Sequence, residues 1–228
     1  MHFPKLPYQR TVLLFWLLVL TDLLAILFGL SWLRFIAKPL LMPVLILLLL
    51  YSAGVAATGK NLLLTGLFFS WLGDVFLLFE SRNGLFFIMG LASFLITHAC
   101  YIFYFLSTRP VASSLLKKQP VYILLILSYG TWLVWLLLPY LGELKIPVIV
   151  YAAIICGMLL SSIHIYLKVT APANRYFVTG AVLFVLSDSI LAINKFYQPL
   201  PLAGIWLMLS YCAAQFFIVW GFVVRRVR

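Results

Sequence analysis

Eight apolar stretches, each long enough to cross a bilayer core, follow one another along this chain and leave little room for anything else. Breaking the chain at clusters of charged residues, Gly and Pro puts them near residues 11–33, 39–57, 61–79, 85–106, 121–138, 146–167, 175–193 and 202–224. The predicted fold is an all-α polytopic membrane protein, a bundle of eight transmembrane helices. With 65% hydrophobic and 9% charged residues and a mean hydropathy of +1.15, the chain lacks the polar surface to cover a water-soluble globule. Lipid can face apolar side chains instead, provided each helix satisfies its own backbone. The stretch from Val12 to Leu33 is too long for a signal-peptide core and no small-residue cleavage site follows it, so it reads as a retained span. The longest connection runs from Ser107 to Gln119, too short for a soluble domain, and residues 1–228 read as one membrane domain.

Charge orients the spans. If they alternate, one side carries Lys5, Arg10, Lys60, Arg109, Lys117, Lys118, Lys168, Arg175, Arg225, Arg226 and Arg228, and the other only Arg34, Lys38, Arg82, Lys145 and Lys195. The positive-inside rule then places both termini in the cytoplasm. Glu80 and Glu143 fall on the sparser, outer side. The net charge of +11 comes from basic residues scattered singly through short loops, which excludes a nucleic-acid partner. Cys100, Cys156 and Cys212 all lie inside apolar stretches and read as small hydrophobes, not as a disulfide framework.

Three of the five acids, Asp22, Asp74 and Asp188, lie within the predicted spans. A carboxylate at a helix centre costs about 2.5–3.5 kcal/mol on insertion scales, so such residues mark a functional interior by default. Asp74 and Asp188 each stand about 6 residues before the outer end of a span, roughly 9 Å below that surface, which makes a facing pair possible. Each is also preceded at the same spacing by a Thr-Gly pair, Thr65-Gly66 and Thr179-Gly180, and the two acids are 114 positions apart, half the chain. Two four-span halves in parallel orientation would produce that echo. The alternative for each Asp is a tie to a neighbouring Ser or Tyr that holds helices together. Asp22, beside Thr21, has no evident partner and reads as a packing acid.

Polar neighbours frame the two acids. Ser70 lies one turn before Asp74, while Ser187 and Ser189 flank Asp188, either to orient carboxyls or to allow close packing. His98 and Tyr101 share a face of the fourth span, and Tyr211 and Gln215 share one in the eighth, so both faces point inward. His2, His98 and His164 have no close ligand spacing, and no metal site is predicted.

The blocks Gly66–Asp74 (GLFFSWLGD), Gly90–Tyr101 (GLASFLITHACY), Gly180–Asn194 (GAVLFVLSDSILAIN) and Tyr211–Gln215 (YCAAQ) resemble, in content, order and separation, the YhhN-type lysoplasmalogenases. Lys38-Pro39, at the start of the predicted second span, is a further match. The resemblance implies an eight-helix enzyme that hydrolyses the vinyl ether bond of a lysoplasmalogen to a fatty aldehyde and a glycerophospho-ethanolamine or -choline, with no metal or organic cofactor. It implies Asp74 and Asp188 as the catalytic residues.

Vinyl ether hydrolysis begins with proton transfer to the β carbon, leaving an oxocarbenium-like cation that water then traps. Two carboxyls sharing a low-dielectric cleft would supply both a proton and a negative charge, as in glycoside hydrolysis. Such a pair titrates as a unit, and the sequence does not say which member is the acid. A lysophospholipid fits the location, its chain entering from lipid and its headgroup near the outer surface. Lys38, Arg82, Asn194 and Lys195 are candidates for phosphate contacts there, or are interfacial groups that snorkel. Tyr101 and Tyr211 are candidates to position the ether oxygen or a water, alongside Ser70, His98, Ser187 and Gln215. The competing class is a transporter of protons or cations that uses the intramembrane acids. A bacterial inner membrane is the expected location, and the oligomeric state is open.

Overall fold

The computed structural model describes residues 5–51, 59–107 and 114–225, with side chains from Tyr8 onward. His2, Arg109, Arg226, Arg228 and the end of the predicted second span lie outside the described residues. The helices are α1 (Lys5–Leu27), α2 (Ser31–Tyr51), α3 (Lys60–Leu78), α4 (Gly84–Leu106), the single turn α5 (Leu115–Lys118), α6 (Val121–Leu137), α7 (Lys145–His164), α8 (Ala173–Ala192) and α9 (Ala203–Val224). A π turn, Ile193–Tyr197, extends α8. All but α5 are long and apolar enough to span a membrane, as the sequence predicts, and no strand occurs among the described residues.

The first two spans begin earlier than the apolar runs suggest. Gly29, at φ 65°, ends α1 in a left-handed turn, with Leu30 N–H donating to Ala25 O (2.8 Å) and Gly29 N–H to Ile26 O (3.3 Å). The chain then starts α2 at Ser31, which carries Arg34 and Lys38 inside the helix and not in a loop before it. Pro39 and Pro43 also lie within α2. Pro43 has no N–H to offer the Pro39 carbonyl one turn back, and the Trp71 indole N–H of α3 donates to that oxygen instead, at 3.0 Å. A feature that resembles a helix breaker in the sequence thus becomes a tie between α2 and α3.

The centre of the bundle is α9, which packs against α1, α2 and α8, while α4 packs against α3 and α7. Two crossings require glycine. A Cβ on Gly66 would stand 2.6 Å from the Tyr101 ring of α4, and one on Gly180 would stand 2.9 Å from the Ala214 carbonyl of α9. In α3 and α8 alike, the glycine that lets the next spanning helix approach precedes the aspartate by eight residues. At the other extreme is α6, which buries only Leu137 and reaches the bundle through α7 and the π turn. Loose cover by α6 leaves a cleft beneath it. Cys100, Cys156 and Cys212 are all buried and unpaired, as expected of small hydrophobes.

Candidate active site

Asp188 stands in the last turn of α8, where the polypeptide presents it to α4 and α7. The Tyr151 hydroxyl of α7 donates to Asp188 Oδ2 at 2.5 Å, and His98 Nε2 of α4 lies 3.1 Å from the same oxygen and 3.0 Å from the Tyr151 oxygen. The His98 ring is fully buried, with Nδ1 3.3 Å from Met158 Sδ and its edge against Phe184 at 4.6 Å. Both contacts fall on Oδ2. No hydrogen bond among the described residues reaches Oδ1, and the side chain keeps 13% of its surface open.

That opening leads into an apolar cleft between α4, α6, α7 and α8. Phe87, Tyr129, Leu133, Val148, Ile155 and Phe196 line it, with Asp188, Tyr151 and Ser189 as its polar margin. Ser189 donates to Val185 O (2.6 Å) and accepts from the Tyr129 hydroxyl (2.8 Å), so its hydroxyl is engaged.

Asp74 in α3 has a different setting. Its Oδ2 accepts from the Tyr211 hydroxyl of α9 at 2.8 Å, and its Oδ1 lies 3.6 Å from Lys38 Nζ. Both members of this ion pair are buried, at 2% and 4% side-chain exposure. The Lys38 charge also acts on Asp22, which is paired at 3.8 Å with Arg34 Nε and whose oxygens receive no hydrogen bond among the described residues. Arg34, Asp22, Lys38 and Asp74 therefore alternate in sign from the part-exposed end of α2 inward. Asp22, read from the sequence as a packing acid without a partner, belongs to this charged row.

The two carboxyls stand at matching positions near the ends of α3 and α8, but each faces its own partners. Between the two sets lie aromatic rings: Tyr211 packs edge-on against Phe94 (5.7 Å) and Phe184 (5.6 Å), and Phe184 against His98. Asp188 lines the cleft and Asp74 does not, and the contacts of Tyr211, Phe184 and His98 link the two sets of partners.

Several other predicted substrate contacts are occupied by each other. The Tyr101 hydroxyl donates to Gln215 Oε1 (2.6 Å), Gln215 Nε2 to Ser70 Oγ (2.7 Å), and Ser70 Oγ to Thr97 Oγ1 (3.1 Å). Thr97 in turn donates to the Gly66 carbonyl at 3.0 Å. All four side chains are fully buried, and the network ties α3, α4 and α9 beneath the Tyr211–Asp74 contact. Ser187 turns away from the cleft to donate to Leu207 O at 3.2 Å. Asn194 is exposed and accepts from Leu200 N–H at 3.0 Å, holding the loop after α8. Lys195 lies beside the cleft, its Nζ 4.8 Å above the Phe87 ring and 3.5 Å from Glu80 Oε2. Arg82 stacks over Phe79 at 5.0 Å.

Tyr151, Tyr129 and Thr97 escaped the sequence reading. Tyr151 had a usable signal, since it is a polar group inside an apolar span like His98, but it stands in no motif and has no polar neighbour at helical spacing.

Fold and site together define a helical membrane protein with buried carboxyl centres, one of which opens on an apolar cleft. The chain belongs to the YhhN family, whose model matches residues 33–222. It is 33% identical over 190 residues to Lysoplasmalogenase TMEM86B of Homo sapiens, a match covering 83% of this chain and 75% of that protein. It is 32% identical over 165 residues to Lysoplasmalogenase TMEM86A of Bos taurus, covering 71% and 65%. Against the Lysoplasmalogenase of Mycobacterium tuberculosis (strain CDC 1551 / Oshkosh) it is 33% identical over 143 residues, which is 61% of this chain and about half of the relative, 52%. No solved structure gives a significant match.

Proposed function

We propose that this chain is a lysoplasmalogenase that hydrolyses the vinyl ether bond of a lysoplasmalogen within the membrane, with Asp188 as the proton donor. The observation that carries this reading is a carboxyl at an apolar cleft with both of its hydrogen-bond partners, Tyr151 and His98, on one oxygen. In the neutral acid, Oδ2 is the carbonyl oxygen and accepts from Tyr151 and His98, while Oδ1 carries the proton toward the cleft. Transfer of that proton to the β carbon of the alkenyl chain leaves an oxocarbenium ion beside the new carboxylate. Tyr151 and His98 already point at the oxygen on which charge then grows, so stabilisation requires no reorganisation. Water adds to the cation and returns a proton to Asp188. The hemiacetal then breaks to a fatty aldehyde and the glycerophospho-headgroup.

Asp74, closed off and paired with Lys38, acts in this scheme as a positioning residue. It orders Tyr211, which packs on Phe184 and through it on His98. The relatives' names support the activity, and the asymmetry between the two carboxyls supports the division of roles. With both termini cytoplasmic, the cleft lies in the outer half of a cell membrane. The test is fatty aldehyde released from a lysoplasmenyl phospholipid by purified wild type, Asp188→Asn and Asp74→Asn at equal folded concentration. Full loss in Asp188→Asn with partial loss in Asp74→Asn is expected. Folded wild type that releases no aldehyde from ethanolamine or choline lipids would return the intramembrane acids to a transport role.

A further inference from the structure

We propose that Glu80 and Lys195 form a binding site for a zwitterionic phospholipid headgroup at the mouth of the Asp188 cleft, Lys195 taking the phosphate and Glu80 the ammonium. The inference rests on the substrate class proposed above and deepens it by assigning headgroup selection to Glu80.

Lys195 sits on the π turn that continues α8 beyond Asp188. Its Nζ lies over Phe87, which packs edge-to-face on Phe196 at 5.8 Å, and both rings line the cleft. Glu80, in the connection between α3 and α4, reaches Lys195 Nζ at 3.5 Å. The two side chains are 37% and 39% exposed, and an exposed pair of this kind contributes only about 0.2–1 kcal/mol. Each partner can therefore turn to a ligand at little cost.

The spacing matches the lipid. Asp188 and Lys195 are seven residues apart, about 10 Å of helical rise. In a lysoplasmalogen, seven bonds separate phosphorus from the vinyl β carbon, about 8 Å when extended at the ~1.2 Å per bond of an extended chain. With the β carbon at Asp188 Oδ1, the phosphate reaches the level of Lys195, and the ammonium continues outward to Glu80. The alkenyl chain then runs the other way, past Ile155 and Cys156 toward lipid under α6. A headgroup with phosphate but no ammonium leaves Glu80 facing a like charge.

The experiment measures binding of two non-hydrolysable 1-O-alkyl lysolipids, phosphoethanolamine and phosphoglycerol, to the full chain in nanodiscs, alongside aldehyde release from the matching alkenyl lipids. Wild type is expected to prefer ethanolamine, and Glu80→Gln to lower that preference about two- to fivefold, the range for a single exposed charge contact. Glu80→Lys is expected to lower it further. The exchange of both charges, Glu80→Lys with Lys195→Glu, restores the ion pair but not the preference. Unchanged preference in both single variants, or wild-type preference in the exchanged protein, overturns the site and leaves a structural ion pair. Headgroup-selective binding without aldehyde release would overturn the hydrolase reading while supporting the site. Aldehyde release with no headgroup effect would overturn the site alone.

Discussion

Replacing Tyr151 with Phe removes one hydroxyl from the centre at Asp188 and leaves the packing almost untouched, since the ring still stands edge-on to His98 at 5.4 Å. The hydroxyl donates at 2.5 Å to the oxygen that, in the proposed mechanism, gains charge as Asp188 gives up its proton, and His98 remains on that oxygen at 3.1 Å. Hydrogen bonds to charged groups contribute about 1.5–3 kcal/mol against about 1 for neutral ones, so the lost stabilisation falls mainly on the transition state. Taking the difference as about 1.2 kcal/mol, kcat/KM drops about eightfold at 1.36 kcal/mol per tenfold. The drop resides in kcat, with KM within about twofold of wild type, because in the proposed mechanism the phenol's bond to Oδ2 strengthens only as the proton leaves. The assay is aldehyde release across a range of lysoplasmenyl lipid in mixed micelles, with thermal unfolding in the same detergent as a control. A kcat within twofold of wild type, or a loss confined to KM, would refute the mechanism for Asp188.

Lys38→Met strands the buried Asp74 carboxylate and is expected to destabilise the protein by about 3–5 kcal/mol. Adding Asp74→Asn should recover most of that loss in a thermal unfolding midpoint. Trp71→Phe leaves the Pro39 carbonyl without its donor, and a fall of about 1–3 kcal/mol in unfolding free energy is expected, with kcat unchanged. Gly180→Ala drives a methyl to 2.9 Å from the Ala214 carbonyl, which is backbone and cannot turn aside; a loss of about 1–3 kcal/mol in the same unfolding assay would follow as α8 and α9 separate.

The spans were legible because hydropathy is averaged over some twenty residues, and a bilayer rewards that average directly. Their edges were not, for reasons visible at α1 and α2. The apolar run continues through Gly29, but a left-handed glycine stops a helix whatever surrounds it. Lys38-Pro39, which reads as the start of the second span, is carried inside α2 because Trp71 and Asp74, some thirty residues downstream, satisfy its carbonyl and its charge. The same limit governs the site. Asp74, Asp188 and His98 could be singled out because each is costly in lipid and must find a partner. Which partner each finds depends on rotations between α3, α4, α7 and α9 that no single helix encodes. Ser70, Tyr101 and Gln215 show this from the other direction: their inward faces were read correctly, yet their polar atoms are used on one another.

A carboxyl in the membrane interior can be held by a lysine or by a tyrosine and a histidine, and the two choices have different chemical consequences. Asp74 has the cation. Lys38 holds one oxygen and Tyr211 the other, inside a row of alternating charge that reaches Arg34 through Asp22, so proton loss or gain at Asp74 would leave a charge in that row uncompensated. Asp188 has Tyr151 and His98 on one oxygen and lines the apolar cleft. In the proposed mechanism its contacts to Tyr151 and His98 persist on both sides of proton transfer. The Thr-Gly and Asp blocks of α3 and α8 look alike in sequence, and one glycine in each sets a helix crossing. What separates them is supplied from outside the block: a lysine on α2 for one, a tyrosine on α7 and a histidine on α4 for the other. We therefore propose proton transfer to a lipid carbon at the centre that lines the cleft, and a structural charge at the centre paired with Lys38.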